Sequence, residues 1–220
     1  MTTRKLGASV VAAALLASVA STALAAPTVP GAVYSDTQAS GVNKPAAKIQ
    51  EELTKAGVTD VAPTYWAAGS ITVLVSAGLL TPDATGKVEP EAELSTGEGV
   101  AVFAKVLGIA SKTDSTDEAL TKAKEAGIIG GTVSAESDLS RIEVARMLAK
   151  ALGAEPVAVT SAADFPFADF EQVAPEDRGV LAALYKLGIF KGFEDGTFRP
   201  DGVLTKAQIA ILIDRILGAR

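Results

Sequence analysis

Two basic residues occupy positions in the sequence from which they could hold an anion. Arg141 and Lys206 each come directly after a Ser or Thr that is followed, three residues later, by Glu or Gln. This spacing is typical of the capping box at the start of an α-helix. A basic side chain at the first helical position stands beside free backbone N–H groups and the positive end of the helix dipole, and both favour an anion. The pattern therefore indicates a contact with a ligand carboxylate, and a solvated surface position is the alternative for each residue.

An aromatic side chain and a tight turn offer further binding chemistry. Trp66 is the only tryptophan of the chain. Its ring has two apolar faces and one N–H group, so it suits a sugar platform and core filling equally, and both interpretations stay open. Asp195-Gly196 predicts a turn with the glycine at positive φ, whose exposed amides are secondary ligand donors. Phe198 is expected to pin this loop to the helices.

The composition excludes most catalytic chemistry. None of the 220 residues is Cys or His, which removes thiol nucleophiles, disulfides, Cys/His zinc sites, imidazole bases and the Ser-His-Asp triad. The formal net charge of −6 argues against nucleic acid, because phosphates require a basic surface. No motif singles out a catalytic pair of carboxylates, and the spacing of a calcium loop is missing. We therefore expect no enzyme activity, no cofactor and no metal.

The elements that must position these residues recur along the chain. Residues 78–108 align without a gap on 188–218, and 127–153 fit the same pattern when its loop is shortened by four residues. Each copy has a helical segment ending in Gly, a loop, and a second helix that begins with a capping box. The capping boxes begin at Ser95, Ser140 and Thr205. Apolar residues three and four apart give each second helix one buried stripe, which a short helix pair cannot bury alone. The sequence predicts an all-α fold in which three helix-loop-helix hairpins pack as a pseudo-threefold bundle.

The N-terminus has the pattern of a secretory signal peptide. Arg4 and Lys5 precede an apolar run, and Ala23-Leu24-Ala25 supplies a small-x-small cleavage site. We predict cleavage after Ala25 rather than a membrane anchor. No later run is long enough to span a bilayer, so we expect an exported protein without a transmembrane anchor, located at the cell wall or envelope surface.

The third copy resembles the S-layer homology (SLH) repeat. It carries FADF, GIFKGFEDGTFRP and LTKAQ between residues 167 and 208, which are similar to the family's F-x-D-V start, its G-I-I-x-G-x-x-D-G-x-F-x-P loop and its L-T-R-A-E helix start. The first copy carries VTDV at 58–61 and Trp66-Ala67, whereas the second has lost most of the loop. The resemblance extends over about residues 58–218.

The repeats and the resemblance together divide the chain. We expect a signal peptide at 1–25, an N-terminal extension with one helix at 26–57, SLH repeat 1 at 58–108, a degenerate SLH repeat 2 at 109–153, a linker at 154–163 and SLH repeat 3 at 164–220.

The resemblance implies a non-catalytic module that holds exported proteins on the bacterial cell envelope. Such repeats bind a secondary cell-wall polysaccharide, often a pyruvylated one, in grooves lined by the basic residue of T-R-A-E and by the Trp and Asp-Gly elements. The corresponding residues here are Arg141, Lys206, Trp66, Asp195 and Gly196. Because the first copy has Thr96 at the basic position, the resemblance implies unequal grooves, with the Arg141 groove the strongest.

The expected partners are a cell-wall polysaccharide or a peptidoglycan-linked glycan, together with other surface-layer proteins. A structural envelope protein that assembles by protein-protein contacts, without binding a glycan, is the alternative that the sequence leaves open.

Overall fold

A computed structural model describes residues 44–130 and 134–218. The predicted signal peptide and residues 26–43 of the predicted extension lie outside these ranges. Within them the chain forms helices and isolated β-bridges but no sheet, so the prediction of an all-α fold is confirmed. The α-helices are α1 (Ala46–Lys55), α2 (Ala68–Ser76), α3 (Thr96–Val106), α4 (Thr116–Glu125), α5 (Arg141–Leu152), α6 (Pro175–Lys186) and α7 (Lys206–Gly218). Two 3₁₀ turns, Ala162–Asp164 and Phe170–Gln172, precede α6.

Capping boxes begin three of these helices. Ser95, Ser115 and Ser140 each accept a hydrogen bond from the N3 amide, and the N3 glutamate accepts one from the cap amide. The box at Ser115 was not predicted. At Thr205 only one half forms, because the hydroxyl accepts from the Gln208 amide at 3.4 Å while the buried Gln208 Oε1 accepts no hydrogen bond. The prediction of a complete third box was therefore wrong.

Glycines end the first helix of each copy as the sequence predicted. Gly78, Gly127 and Gly188 have φ angles of 69°, 69° and 73°. A side chain is strained in this left-handed conformation, so glycine is the residue that ends a helix there without cost.

The principal helix pairs join neighbouring copies. Helix α3 packs against α4, α5 packs against α6, and α7 returns to pack against α2. Helix α1 also packs against α2, which agrees with the predicted extra helix. The loop of each copy thus carries its second helix to the first helix of the next copy, and that of the third copy to α2 of the first.

Short backbone bridges connect the starts of the second helices. Ser95 bridges to Asp138, Ser140 to Val203, and Thr205 to Glu93. One continuous apolar core extends from Ile49 in α1 to Ile216 in α7. Among the residues that the structure describes, none of the helices combines the length and apolar character needed to cross a membrane.

Candidate ligand surfaces at the helix starts

The backbone amides at the starts of α5 and α7 are bonded within the fold. The Arg141 N–H donates to the Gly202 carbonyl at 2.9 Å, and the Lys206 N–H donates to the Ala92 carbonyl at 2.9 Å. The second amide of each helix donates to a carbonyl of the same loop, and the third donates to the cap hydroxyl. The free N–H groups on which the anion prediction relied are therefore absent at these two helix starts. Sequence reasoning erred because it could not place the neighbouring loop over the helix end.

The Arg141 side chain is enclosed by the loop of the third copy. It is 3% exposed, and its Nε donates to the Phe198 carbonyl at 2.8 Å. Its guanidinium carbon lies 5.5, 4.6 and 5.0 Å from the ring centroids of Phe190, Phe193 and Phe198. A desolvated cation gains most from such aromatic faces. The predicted ligand contact would require the guanidinium to leave this aromatic cage.

The Asp195-Gly196 turn belongs to the same junction. Asp195 accepts hydrogen bonds from the Thr197 amide and hydroxyl, and its other oxygen accepts from the Arg199 guanidinium at 2.8 Å. These contacts, with the Thr197 hydroxyl as the largest cause, hold the pKa of the Asp195 carboxyl well below its usual range. Gly196 has φ of 78° and accepts from the Ala168 amide. The predicted turn is confirmed, and a ligand role for its amides stays a prediction.

Phe198 anchors this loop, as the sequence predicted. It is fully buried, and its ring centroid lies 5.3 Å from those of both Phe167 and Phe190. The aromatic cluster beneath the loop therefore holds both the turn and Arg141 in place.

Trp66 lies at a different junction and is open to solvent. It is 46% exposed, and among residues 44–130 and 134–218 no other large hydrophobic side chain is as open to solvent. Its ring packs at a tilt against Tyr65, with centroids 5.5 Å apart. The Tyr65 hydroxyl donates to the carboxylate of Glu91, and burial, followed by this bond, raises the pKa of Tyr65. The exposure favours the platform interpretation of Trp66 over core filling.

Lys206 reaches the same junction from the start of α7. Its backbone is bonded to Ala92, next to Glu91, and its Nζ lies 3.5 Å from a carboxylate oxygen of Glu89. We call the group Tyr65, Trp66, Glu89, Glu91 and Lys206 the Trp66 surface. Sequence reasoning named Trp66 and Lys206 but missed the other three, although Tyr65 adjoins Trp66 and both glutamates flank the loop proline.

The five predicted site residues thus divide between two places. Trp66 and Lys206 lie where the first-copy loop meets α7, whereas Arg141, Asp195 and Gly196 lie where the third-copy loop meets α5. The resemblance implied grooves lined together by a basic residue, the Trp and the Asp-Gly turn, whereas here Trp66 and the Asp195-Gly196 turn lie at different junctions.

An aspartate at the start of each of these two copies holds the loop. Asp60 accepts from the amides of Val88 and Glu89 at 3.0 and 2.7 Å. Asp169 accepts in the same way from Phe198 and Arg199 at 2.9 and 2.7 Å. This is the structural role of the aspartate in the F-x-D pattern, which the sequence analysis quoted but did not explain.

The junction of the first and second copies contains a cleft. Thr96, 1% exposed, bonds through its hydroxyl to Ser137 Oγ and to the Asp138 carbonyl. Beside it is a cavity of about 190 Å³ lined by Thr96, Val100, Ile128, Ile129, Gly130, Leu139, Glu143, Arg146 and Met147. The one guanidinium in this lining, that of Arg146, is held by both oxygens of Asp177 at 2.8 and 2.6 Å.

This chain is similar to a known protein family, in the third copy, and to a curated protein. Residues 166–210 match the S-layer homology domain. Cell surface glycoprotein 1 of Acetivibrio thermocellus is 32% identical over 87 residues, which is 40% of this chain and 4% of that protein. This chain therefore spans only a small part of the curated relative that it matches. The matched segment contains Asp169, the aromatic cage and the Asp195-Gly196 turn, and the chain accordingly contains an S-layer homology domain.

Proposed function

We propose that this chain is a non-catalytic module that attaches to the bacterial cell surface by binding a wall polysaccharide. The S-layer homology match supports a cell-surface role, and so does the similarity to a protein named as a cell surface glycoprotein. Export through the predicted signal peptide is part of this proposal, because the wall lies outside the cytoplasm.

The exposure of Trp66 is the observation that carries the polysaccharide proposal. A half-exposed indole beside a tyrosine presents an apolar face with a polar edge. The C–H faces of a sugar ring stack on such a surface while its hydroxyls bond to nearby polar groups. Glu91 supplies an acceptor at the margin of the ring pair, and Glu89 and Lys206 supply an acceptor and a donor on the adjoining segment.

The pyruvylated glycan implied by the family resemblance remains one candidate ligand. Its ketal carboxylate would have to use Lys206, because Arg141 is enclosed and the helix amides are already bonded. Because Lys206 already contacts the Glu89 carboxylate, exchange for the ketal carboxylate would contribute less than the about 1.5 to 3 kcal/mol of a new charge-assisted hydrogen bond.

A sedimentation assay of the full chain with wall sacculi tests this function. We expect Trp66→Ala to reduce the bound fraction strongly and Trp66→Tyr to retain part of it, because tyrosine keeps a stacking face. Lys206→Ala should weaken binding less, with Lys150→Ala, an exposed lysine of α5, as the matched control. Mild acid treatment of the sacculi, which removes ketal-linked pyruvate, tests the carboxylate separately. Full retention by folded Trp66→Ala would refute the proposal.

Assembly through protein-protein contacts is the second candidate, because an exposed tryptophan also suits a protein interface. Homotypic crosslinks that depend on Trp66, together with failure of purified polysaccharide to capture the chain, would favour it.

A further inference from the structure

The Trp66 surface carries more negative than positive charge. Glu89 and Glu91 are exposed, and Glu93, also exposed, follows on the same segment opposite Thr205. Lys206 is the cation that the structure places against them, 3.5 Å from Glu89. The amides that begin α7 are bonded to loop carbonyls and so add no anion-binding capacity. A ligand that stacks on Trp66 therefore meets a field that repels an anion and attracts a cation.

The carboxylate nearest the ring pair is held in a fixed position. The Tyr65 hydroxyl donates to one oxygen of Glu91, and the Tyr65 ring packs at a tilt against Trp66. A carboxylate has lone pairs for several donors, so Glu91 can accept a further hydrogen bond. The neighbouring backbone is also fixed, because Asp60 binds the Val88 and Glu89 amides and holds Glu89 at φ of 53°. The surface is thus organised before any ligand arrives, which lowers the entropy cost of binding.

We propose that the Trp66 surface selects amino sugars with a free, protonated amine, as in N-deacetylated stretches of a wall glycan. The apolar face of the hexosamine ring stacks on Trp66, and its ammonium group donates to Glu91. The N-acetylated sugar keeps the stacking contact but loses the charge-assisted bond. An acidic sugar, such as the pyruvylated glycan, could contact Lys206 but meets repulsion from two glutamates, so the surface should bind it more weakly than the amino sugar. This inference rests on the proposed function, since it names the class of sugar that the same surface binds.

The direct test is a calorimetric titration of the full chain with two oligosaccharides of equal length. One is the β-1,4-linked hexamer of glucosamine, at a pH where its amines are protonated, and the other is the same hexamer with every amine acetylated. We expect the amine form to bind about threefold to fivefold more tightly, which is the range of an exposed ion pair. The preference should shrink as salt concentration rises.

Variants separate this preference from attraction of any polycation to an acidic protein. Glu91→Gln should bring the two affinities together, because it weakens binding of the amine form more than binding of the acetylated form. Glu125→Gln makes the same change at an exposed position of α4 and should keep the preference. Trp66→Ala should weaken both oligosaccharides about tenfold or more, which is the cost of losing a stacked ring. Hexalysine, which carries similar charge without a sugar face, should bind equally to the parent and to Trp66→Ala.

Two results would overturn the inference. The first is equal affinity of the parent for the two hexamers, and the second is a preference that survives Glu91→Gln. If sacculi still require Trp66 in either case, the wall-binding function stands and only the sugar class is wrong. If folded Trp66→Ala retains full binding to sacculi and to both hexamers, the function and the inference fail together.

Discussion

The loops of the first and third copies share a backbone arrangement and differ in what they hold. In each, an aspartate binds two successive amides, and the second amide belongs to a non-glycine residue with positive φ. These residues are Glu89 at 53° and Arg199 at 57°, bound by Asp60 and Asp169. Each loop also covers the start of the helix that carries the basic residue, Lys206 or Arg141. The scaffold therefore does not by itself decide whether a junction is closed or open.

The side chains around the basic residue decide whether a junction is closed or open. Arg141 is 3% exposed under three aromatic rings, whereas the Lys206 side chain is 23% exposed beside Glu89. The sequence alignment places Leu80, Asp83 and Val88 of the first loop at the positions of Phe190, Phe193 and Phe198 in the third. Without those rings, no aromatic cage encloses the lysine. The comparison teaches that one repeat pattern can build a structural junction in one place and an open surface in another.

The largest expected effect is loss of stability when the closed junction loses its cation. Arg141→Ala removes a buried hydrogen bond to Phe198 and contacts with three rings, so we expect the free energy of unfolding to fall by about 2 to 4 kcal/mol. Lys206→Ala should change it by less than about 1 kcal/mol, because the partner Glu89 is largely exposed and such ion pairs contribute little. Urea unfolding followed by circular dichroism measures both. Equal effects of the two substitutions would contradict the distinction between closed and open junctions.

The next expected effect compares the two loop-holding aspartates. Asp169 is 6% exposed, and Asp169→Ala leaves the amides of Phe198 and Arg199 without their acceptor, at an expected cost of about 2 to 3 kcal/mol. Asp60 makes the same bonds at a more exposed position, where water can replace it, so we expect about 1 to 2 kcal/mol for Asp60→Ala.

Urea unfolding of the two alanine variants measures this difference, and Asp201→Ala, an exposed aspartate of the third loop, serves as the control. A larger loss for Asp60→Ala than for Asp169→Ala would show that burial does not rank the two loops.

Local features were predictable from the sequence, and contacts between distant segments were not. Ser95 and Ser140 indicate helix starts because the cap residue and its glutamate partner lie three residues apart in the sequence. Gly78 indicates a helix end because glycine adopts the positive φ found there without strain. The burial of Arg141 depends on a loop 57 residues further along the chain. A basic residue after a helix cap has the same local signature whether a loop covers it or not, so sequence spacing could not separate Arg141 from Lys206.

The acidic margin of the Trp66 surface was missed for the same reason. Glu91 belongs to this surface because it accepts a hydrogen bond from the Tyr65 hydroxyl, 26 residues earlier in the sequence. Glu89 belongs to it because α7 packs against the first copy and brings Lys206 close to its carboxylate. Neither glutamate carries a motif. Their role follows from which helix packs against which loop.

A smaller effect is expected from the incomplete capping box of α7. Gln208→Glu would place a carboxylate where Gln208 Oε1 now accepts no hydrogen bond, so it can accept from the Thr205 amide as Glu143 does from Ser140. We expect stabilisation by about 0.5 to 1 kcal/mol. The converse change, Glu143→Gln, should destabilise by a similar amount, and thermal unfolding measures both. If Gln208→Glu lowers the melting temperature, burial of the new charge outweighs the cap.

The smallest expected effect concerns acid stability of the two turns. The pKa of Asp195 is lowered by bonds from the Thr197 hydroxyl and the Arg199 guanidinium, and that of Asp83 by bonds from the Lys87 amide and Thr85. A carboxyl with a depressed folded pKa stabilises the protein above its unfolded pKa, about 3.9, and this contribution is lost as the pH falls through the folded value.

The melting temperature of Asp195→Asn should therefore lie below that of the parent at pH 6 and approach it toward pH 2. Asp83→Asn should behave in the same way with a weaker effect, because the Asp83 carboxylate has no guanidinium bond. Glu194→Gln, which removes the charge of an exposed neighbour in the third loop, serves as the control. A constant offset between Asp195→Asn and the parent from pH 6 to pH 2 would show that the turn is held by its geometry and not by the charge of Asp195.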